Sequence, residues 1–260
     1  MFTEVQRGPV NDPNIQVLVL QHLSVEHPGS VGARLRQAGA DLTTVELDHG
    51  ETVPDLDPFD LLVVMGGPMD VWEEDRYPWL VEEKSVIRQW VRELDRPFLG
   101  VCLGHQLLAD ALGGEVAPME EPEIGLCQID LRTEAGDDFL LAELGSPVLG
   151  LQWHSSEVRR LPADATLLAS SAACPIQAFR TGRAAWGLQL HIEVGPLTVA
   201  EWSSVPAYRR SLELSGSSSV GSLASAVAKE LGNLMDVSAM ISGRLATLVE
   251  QDRLGIRFGS

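Results

Sequence analysis

Phe98-Leu99-Gly100-Val101-Cys102-Leu103-Gly104-His105-Gln106 is the stretch from which the rest of the chain is read. Pro97 to Val101 has the apolar character of a buried strand, and the helix that follows starts at Cys102. A Gly-x-Cys-x-Gly between strand and helix is the cysteine form of a nucleophile elbow: the glycines let the backbone turn sharply and leave room around the central residue. A thiol held there sits at a helix N-terminus, where N–H groups and the macrodipole favour the reactive thiolate. A buried packing cysteine is the ordinary alternative, and the fitting residues around Cys102 favour the nucleophile.

Outward from the elbow, the N-terminal half alternates strand and helix. Ile15 to Leu20, Asp41 to Leu47 and Leu61 to Met65 are strands; Ser30 to Gly39 and Pro78 to Leu94 are helices, the second with proline in its opening turn. The elbow helix runs to Leu112 and stops at Gly113-Gly114. This rhythm predicts an α/β fold, an open, mostly parallel sheet with helices on both faces and right-handed crossovers. Ligands bind such sheets at the carboxyl ends of strands, where Cys102 and Gly66-Gly67-Pro68 both fall. From Glu115 the texture changes to short strands, at Leu126 to Arg132, Val148 to Trp153, Thr166 to Ser170, Pro175 to Arg180 and Ala185 to Leu190. They predict a small β extension beside the main sheet. A closing helix begins at Pro196. Ser215 to Ser222 reads as a Ser/Gly linker, and Leu223 to Leu234 with Ser238 to Val249 as a C-terminal helical hairpin. Its apolar faces either cover the core or mate with a partner, a second copy of the chain in a homo-oligomer included. The expected division is a loose arm at 1–14, one domain at 15–205, and a linker with helical extension at 206–260.

Composition narrows the function classes. With 37 acidic against 19 basic residues the formal charge is −18, which argues against nucleic acid or an anionic membrane as partner. Three cysteines, Cys102, Cys127 and Cys174, show no metal-type spacing, so a reducing, cytoplasmic setting and no metal or cofactor are expected. The first 14 residues lack the apolar core of a signal peptide, and no apolar run approaches the ~18 residues of a membrane span.

A cysteine nucleophile needs a histidine and a group to orient it. Gly187-Leu188-Gln189-Leu190-His191-Ile192-Glu193 offers both. In extended backbone His191 and Glu193 project to the same side, so the carboxylate can hold one ring nitrogen while the other faces the thiol. His105 reads as a helix-surface residue rather than a base, His154 as structural or substrate-adjacent, and Cys127 and Cys174 as packing residues.

Met65-Gly66-Gly67-Pro68, Gly100 to Gln106 and Gly187 to Glu193, in that order, resemble the motifs of class I glutamine amidotransferases. The texture is similar to the glutaminase half of GMP synthetase, over roughly Ile15 to Trp202. The resemblance implies a flavodoxin-like amidotransferase fold. It also implies that Cys102 attacks the side-chain amide of glutamine and forms a γ-glutamyl thioester. His191 would take the thiol proton and pass it to the leaving ammonia while Glu193 holds the ring. The backbone N–H groups of Gly67 and Leu103 would form the oxyanion hole, and Gln106 would bind the substrate. Met69, Trp153, Ser155 and Ser156 would flank its α-amino and α-carboxyl groups. Two departures stand out: Ile192 where the family usually has proline, and Ser155 where it often has glycine, the latter a hint about specificity.

Some fifty residues follow the amidotransferase-like part, too few for an ATP-pyrophosphatase domain, so a complete synthetase is not expected. Three readings stay open. One is a glutaminase component that hands ammonia to a separate synthetase chain. Another is a self-sufficient γ-glutamyl amide or peptide hydrolase. The third is a catalytically silent binding module, disfavoured by the intact Cys102, His191 and Glu193.

Overall fold

Strand Ile15–Gln21 (β1) lies between two parallel neighbours in the sheet of the computed structural model, which describes residues 14–216 and 219–256. Every residue of β1 but Gln16 is buried, because helices cover both faces and an apolar run is then favoured over alternation. Ala40–Glu46 (β2), Leu61–Val64 (β3), Phe98–Val101 (β4) and Ala185–Leu188 (β9) run parallel to it. Beyond β9 the neighbours are antiparallel: Ala178–Thr181 (β8), Thr166–Ser170 (β7), Glu115–Leu131 (β5) and Val148–Arg160 (β6). The order across this nine-stranded sheet is β2-β1-β3-β4-β9-β8-β7-β5-β6.

Helix Gly29–Gln37 (α1) packs one face, where Val31 and Leu35 meet Val17 and Val19. Helices Trp79–Arg92 (α2) and Leu103–Ala111 (α3) pack the other, where Ile87, Trp90 and Leu107 meet Leu18, Leu20, Leu62 and Val64. Each such large apolar side chain contributes about 1.5–3 kcal/mol on burial. Thr198–Ser204 (α4) and Pro206–Ser215 (α5) follow the last strand.

The C-terminal hairpin is not formed. Val220–Arg253 (α6) is one helix of 34 residues. Leu223, Val227, Leu234, Ser238, Ile241, Leu245 and Leu248 are buried along it, and with half-buried Leu231 they make a single stripe at three- and four-residue steps. The stripe reads as interrupted because Ser238 is polar. That hydroxyl is instead fully buried and meets Ser30 Oγ at 2.8 Å, and neither glycine nor proline lies between Leu234 and Ser238 to end the helix. Half of the helix covers α1 and the sheet and the other half covers the β5–β6 pair. The expected Ser/Gly linker shrinks to 216–219: α5 runs through Ser215, Gly216 takes a left-handed φ of 61°, and Ser219 caps α6. Residues 217–218 lie outside the described residues, as do 1–13 of the expected arm; Asn14 Nδ2 donates to Asp41 Oδ2 at 2.9 Å. The β extension is larger than expected. Strand β5 has 17 residues and pairs with β6 across a register shift between Pro118 and Glu123. Two prolines and three glutamates disguise that part of the strand, and the bulge absorbs them. Among the described residues no helix is long and apolar enough to cross a membrane.

Candidate active site

Adjacent parallel strands β1, β3, β4 and β9 all end at one crevice, and each delivers one group of side chains to it. Strand β4 delivers Cys102, with φ 51° and ψ −103°. A side-chain-bearing residue adopts such a backbone at a cost of about 1–3 kcal/mol, and only when its surroundings enforce it. They do so here. Cys102 N–H donates to Leu188 O at 2.8 Å and Gly104 N–H to Met65 O at 3.1 Å, which ties the turn to β9 on one side and to the end of β3 on the other. A Cβ on Gly104 would fall 2.2 Å from Val64 O, and one on Gly100 would fall 2.4 Å from Gly104 O. Only glycine permits this crossing.

The loop after β9 delivers His191 and Glu193. His191 N–H donates to Leu151 O at 2.9 Å, and its ring lies 4.3 Å from that of Trp202. Nδ1 and Glu193 Oε1 are 2.6 Å apart. Both side chains are almost fully buried. Burial alone pulls the imidazole pKa down, but the charges of Glu193 and the Cys102 sulfur outweigh it and hold His191 well above its ordinary value. The ring is thus poised as an imidazolium between a carboxylate and a sulfur.

The end of β3 delivers Gly66 and Gly67. A Cβ on Gly67 would meet Leu103 Cδ2 at 2.9 Å, and one on Gly66 would meet His191 Cε1 at 3.2 Å, so this turn lies against both the elbow and the His191 ring. Among the described residues the N–H groups of Gly67 and Leu103 donate to no carbonyl.

A cavity of about 60 Å³ opens at Cys102, lined also by Gly67, Met69, Gln106, Ser155 and Ser156. Gln106 Nε2 donates to Ser156 O at 2.9 Å and to Gln189 Oε1 at 3.1 Å, which leaves its own carbonyl oxygen for a ligand. Trp153 also lines the wall; its side chain is buried against Trp202 and Tyr208 and donates to Tyr208 O at 3.1 Å. Ser155 Oγ donates to Ser211 Oγ on α5 at 3.3 Å, so the side chain that stands where glycine is common joins the mouth of the cavity to that helix. A larger cleft of about 780 Å³ lies on the far side of Glu193, beside His27, Arg36 and Glu46, and has no contact with Cys102.

Residues 29–199 match the family described as glutamine amidotransferase class-I. The chain belongs to this family. It is 36% identical over 184 residues to a glutamine amidotransferase-like protein of Salmonella typhimurium, YfeJ, covering 69% of this chain and 76% of that one. It is 34% identical over 154 residues to the glutamine-hydrolysing subunit of GMP synthase from Sulfolobus acidocaldarius, covering 59% and 77%. A solved glutamine amidotransferase of Thermotoga maritima superposes with a TM-score of 0.80 at 29% identity, over 90% of this chain and 98% of that one.

Several residues of this amidotransferase site escape a reading of the sequence. Gln189 Nε2 donates to Cys102 Sγ at 3.5 Å; the strand alternation that pairs His191 with Glu193 also puts Gln189 on that side. Asp70 lines the cavity, and Ser156 Oγ donates to its Oδ1 at 2.6 Å. Glu26, in the loop after β1, is buried with its carboxyl pKa raised by desolvation and accepts the Tyr208 hydroxyl. Nothing local marks a lone loop glutamate for this role. His22, just past β1, is likewise unmarked, and its ring meets Gly66 O at 2.8 Å.

His105 departs from expectation. It is fully buried rather than on the helix surface, its ring 5.0 Å from that of Phe179, and burial drops its pKa to about 3. It is a neutral packing residue beneath the elbow. His154 Nε2 meets Glu123 Oε2 at 2.9 Å and its Nδ1 meets Ser156 O at 2.9 Å, which buttresses the cavity wall. Cys127 and Cys174 have thiol pKa values raised by burial, to about 12 for Cys127. Among the described residues two clusters bring metal-type donors within 4.8 Å, Glu123-His154-Cys174 and Glu26-His191-Glu193. In each, carboxylate and imidazole are spent on one another at hydrogen-bond distance.

Proposed function

We propose that this class I amidotransferase domain hydrolyses the side-chain amide of glutamine and passes the ammonia to a separate synthetase chain. The observation that carries the reading is the line from Glu193 through His191 to a strained Cys102, beside two N–H groups with no carbonyl acceptor among the described residues. The Cys102 thiolate attacks the amide carbon and electrons move onto the oxygen. The Gly67 and Leu103 N–H groups stabilise that oxyanion, and one such donor is worth ~3 kcal/mol. The intermediate collapses as His191 gives its proton to the departing nitrogen, which leaves as ammonia, and a γ-glutamyl thioester remains. Neutral His191 then takes a proton from water, which attacks the thioester. Glutamate leaves, and the thiolate–imidazolium pair is restored. Gln106 Oε1 accepts from the substrate, and Met69 with the backbone at Trp153, Ser155 and Ser156 walls its α-carbon end. Asp70, whose pKa is raised chiefly by burial, is suited to the substrate α-ammonium, whose charge would draw that pKa back down. The glutamine-hydrolysing synthase subunits among the relatives support a synthetase as ammonia acceptor.

The test is turnover by the purified full chain of glutamine, γ-glutamyl amines and γ-glutamyl peptides, with Cys102→Ala alongside. Glutaminase activity that rises when a candidate synthetase is added, and that is absent in C102A, is expected. Fast hydrolysis of a γ-glutamyl amine with no partner would replace the synthetase reading by the self-sufficient hydrolase. Failure of an electrophilic glutamine analogue to label Cys102 would end both.

A further inference from the structure

The Gly67 N–H can hold an oxyanion only if the plane of the Gly66–Gly67 peptide is fixed. Strand β3 stops at Val64, and two successive glycines leave the linking peptide free to rotate. A side chain from the next strand supplies the restraint. His22, one residue past β1, meets Gly66 O through Nδ1 at 2.8 Å. Its Nε2 lies 2.9 and 3.1 Å from the two carboxylate oxygens of Glu83 on α2. His22 and Glu83 are both fully buried. Each ring nitrogen faces an acceptor, a carbonyl on one side and a carboxylate on the other. Only the imidazolium donates from both.

We propose that His22, backed by Glu83, is a positioning residue for the oxyanion hole: it locks the Gly66–Gly67 peptide and polarises it, so that the Gly67 N–H is both aimed and strengthened. The inference rests on the glutaminase reading above. Gly66 O and Gly67 N–H belong to one peptide unit, and a charged donor on the oxygen makes the N–H a stronger donor on the opposite edge. Two of the site's His–carboxylate pairs then have separate tasks. His191 with Glu193 handles the proton, and His22 with Glu83 handles the developing negative charge. Burial pulls the His22 imidazole down, but Glu83, the bond to Gly66 O and, more weakly, Glu26 hold it above its ordinary value. Glu83 on α2 and Glu26 in the loop after β1 are the charged groups that bear on it.

The test uses the full chain and two readouts. Turnover of glutamine, or of the best substrate in the panel, requires the oxyanion hole; alkylation of Cys102 by iodoacetamide requires the thiolate but forms no oxyanion. His22→Phe should lower kcat about 30- to 100-fold, no more than the loss seen when an oxyanion donor is removed outright, with KM and labelling rate changed by no more than about threefold. His22→Asn sets an amide nitrogen where Nδ1 stands and should recover about tenfold of that loss. If H22F does not fold, Glu83→Gln decides. It keeps a hydrogen-bonding group at Nε2 without the charge, and kcat should then fall about three- to tenfold more than in the wild type as pH rises from 6 to 8. Unchanged kcat in H22F, labelling that falls in step with kcat, H22N no better than H22F, or, where E83Q decides, a pH profile like the wild type's would each overturn the role of His22. A wild type that labels at Cys102 but turns over no γ-glutamyl compound would overturn the glutaminase reading itself, and the oxyanion role with it.

Discussion

Glu193→Gln is the sharpest perturbation of the proposed base, because it removes a charge and leaves the shape. The amide oxygen of the substituted side chain can still accept from His191 Nδ1, across what is now a 2.6 Å contact between almost fully buried groups. A charge-assisted bond of this kind is worth about 1.5–3 kcal/mol and a neutral one about 0.5–1.5 kcal/mol. Burial of the pair puts the loss toward the upper end, about 1.5–2.5 kcal/mol, or between one and two pKa units. The sign follows from the cause. Burial lowers the His191 pKa, and Glu193 is the first of the charges that raise it; without that charge the imidazolium is lost at a lower pH. The descending limb of kcat/KM against pH, a macroscopic property of the Cys102–His191 pair, should therefore move down by about one to two units. At the plateau kcat should fall about 10- to 100-fold.

One group could blunt this effect. Glu26 has its pKa raised first by burial and, among charges, by Glu193, so removing the Glu193 charge lets Glu26 ionise more readily near the ring. Glu26→Gln combined with Glu193→Gln should thus lose about two- to fivefold more than the product of the single losses. Iodoacetamide labelling read by intact mass gives an independent measure, since Cys127 and Cys174 stay protonated. A descending limb that stays in place or moves to higher pH in E193Q would refute the assignment of Glu193, and with it the charge argument for His191.

Gly104→Ala would set a methyl 2.2 Å from Val64 O, and since backbone lies on both sides the elbow must lift; melting should show a loss of about 2–4 kcal/mol, with turnover below a hundredth of wild type. His105→Met should flatten the acid branch of stability. With a folded pKa near 3 against an unfolded value near 6.5, wild-type His105 takes up its proton only on unfolding. It therefore costs ~2 kcal/mol between pH 7 and pH 5, a share that urea titrations of H105M should lack. Leu245→Ala empties a fully buried position on α6 and should cost about 2.5–4 kcal/mol by denaturant unfolding; a loss under ~1 kcal/mol would mean that the helix does not cover the sheet in solution.

What is legible in the sequence is what is encoded locally. A glycine-flanked cysteine carries its own turn geometry, and a His-x-Glu carries its own alternation, so the thiol, the proposed base and the carboxylate beside it can be read from short stretches. The Gly-Gly turn can be placed because a strand visibly ends there. His105 misleads because a polar residue beside a nucleophile gives no sign of the Phe179 ring that buries it. The C-terminal helix reads as a hairpin because Ser238 breaks an apolar pattern that the fold closes with a hydroxyl pair from Ser30.

The remainder of the site depends on strand order, which composition and periodicity do not carry. Neighbouring strands lie about 4.8 Å apart, and the order β1-β3-β4-β9 sets the proposed functions side by side at that spacing. The nucleophile ends one strand. The oxyanion peptide ends the strand on one side of it, and the base follows the strand on the other. His22 ends the strand beyond the oxyanion peptide and reaches back to hold it. Were β1 at the edge and β2 between β1 and β3, every motif in the sequence would survive unchanged, yet His22 would be about 5 Å too far from Gly66 to touch it. The pairing of Leu18 with Leu62 and of Val64 with Gly100 is therefore as much a part of the proposed chemistry as the residues that touch substrate.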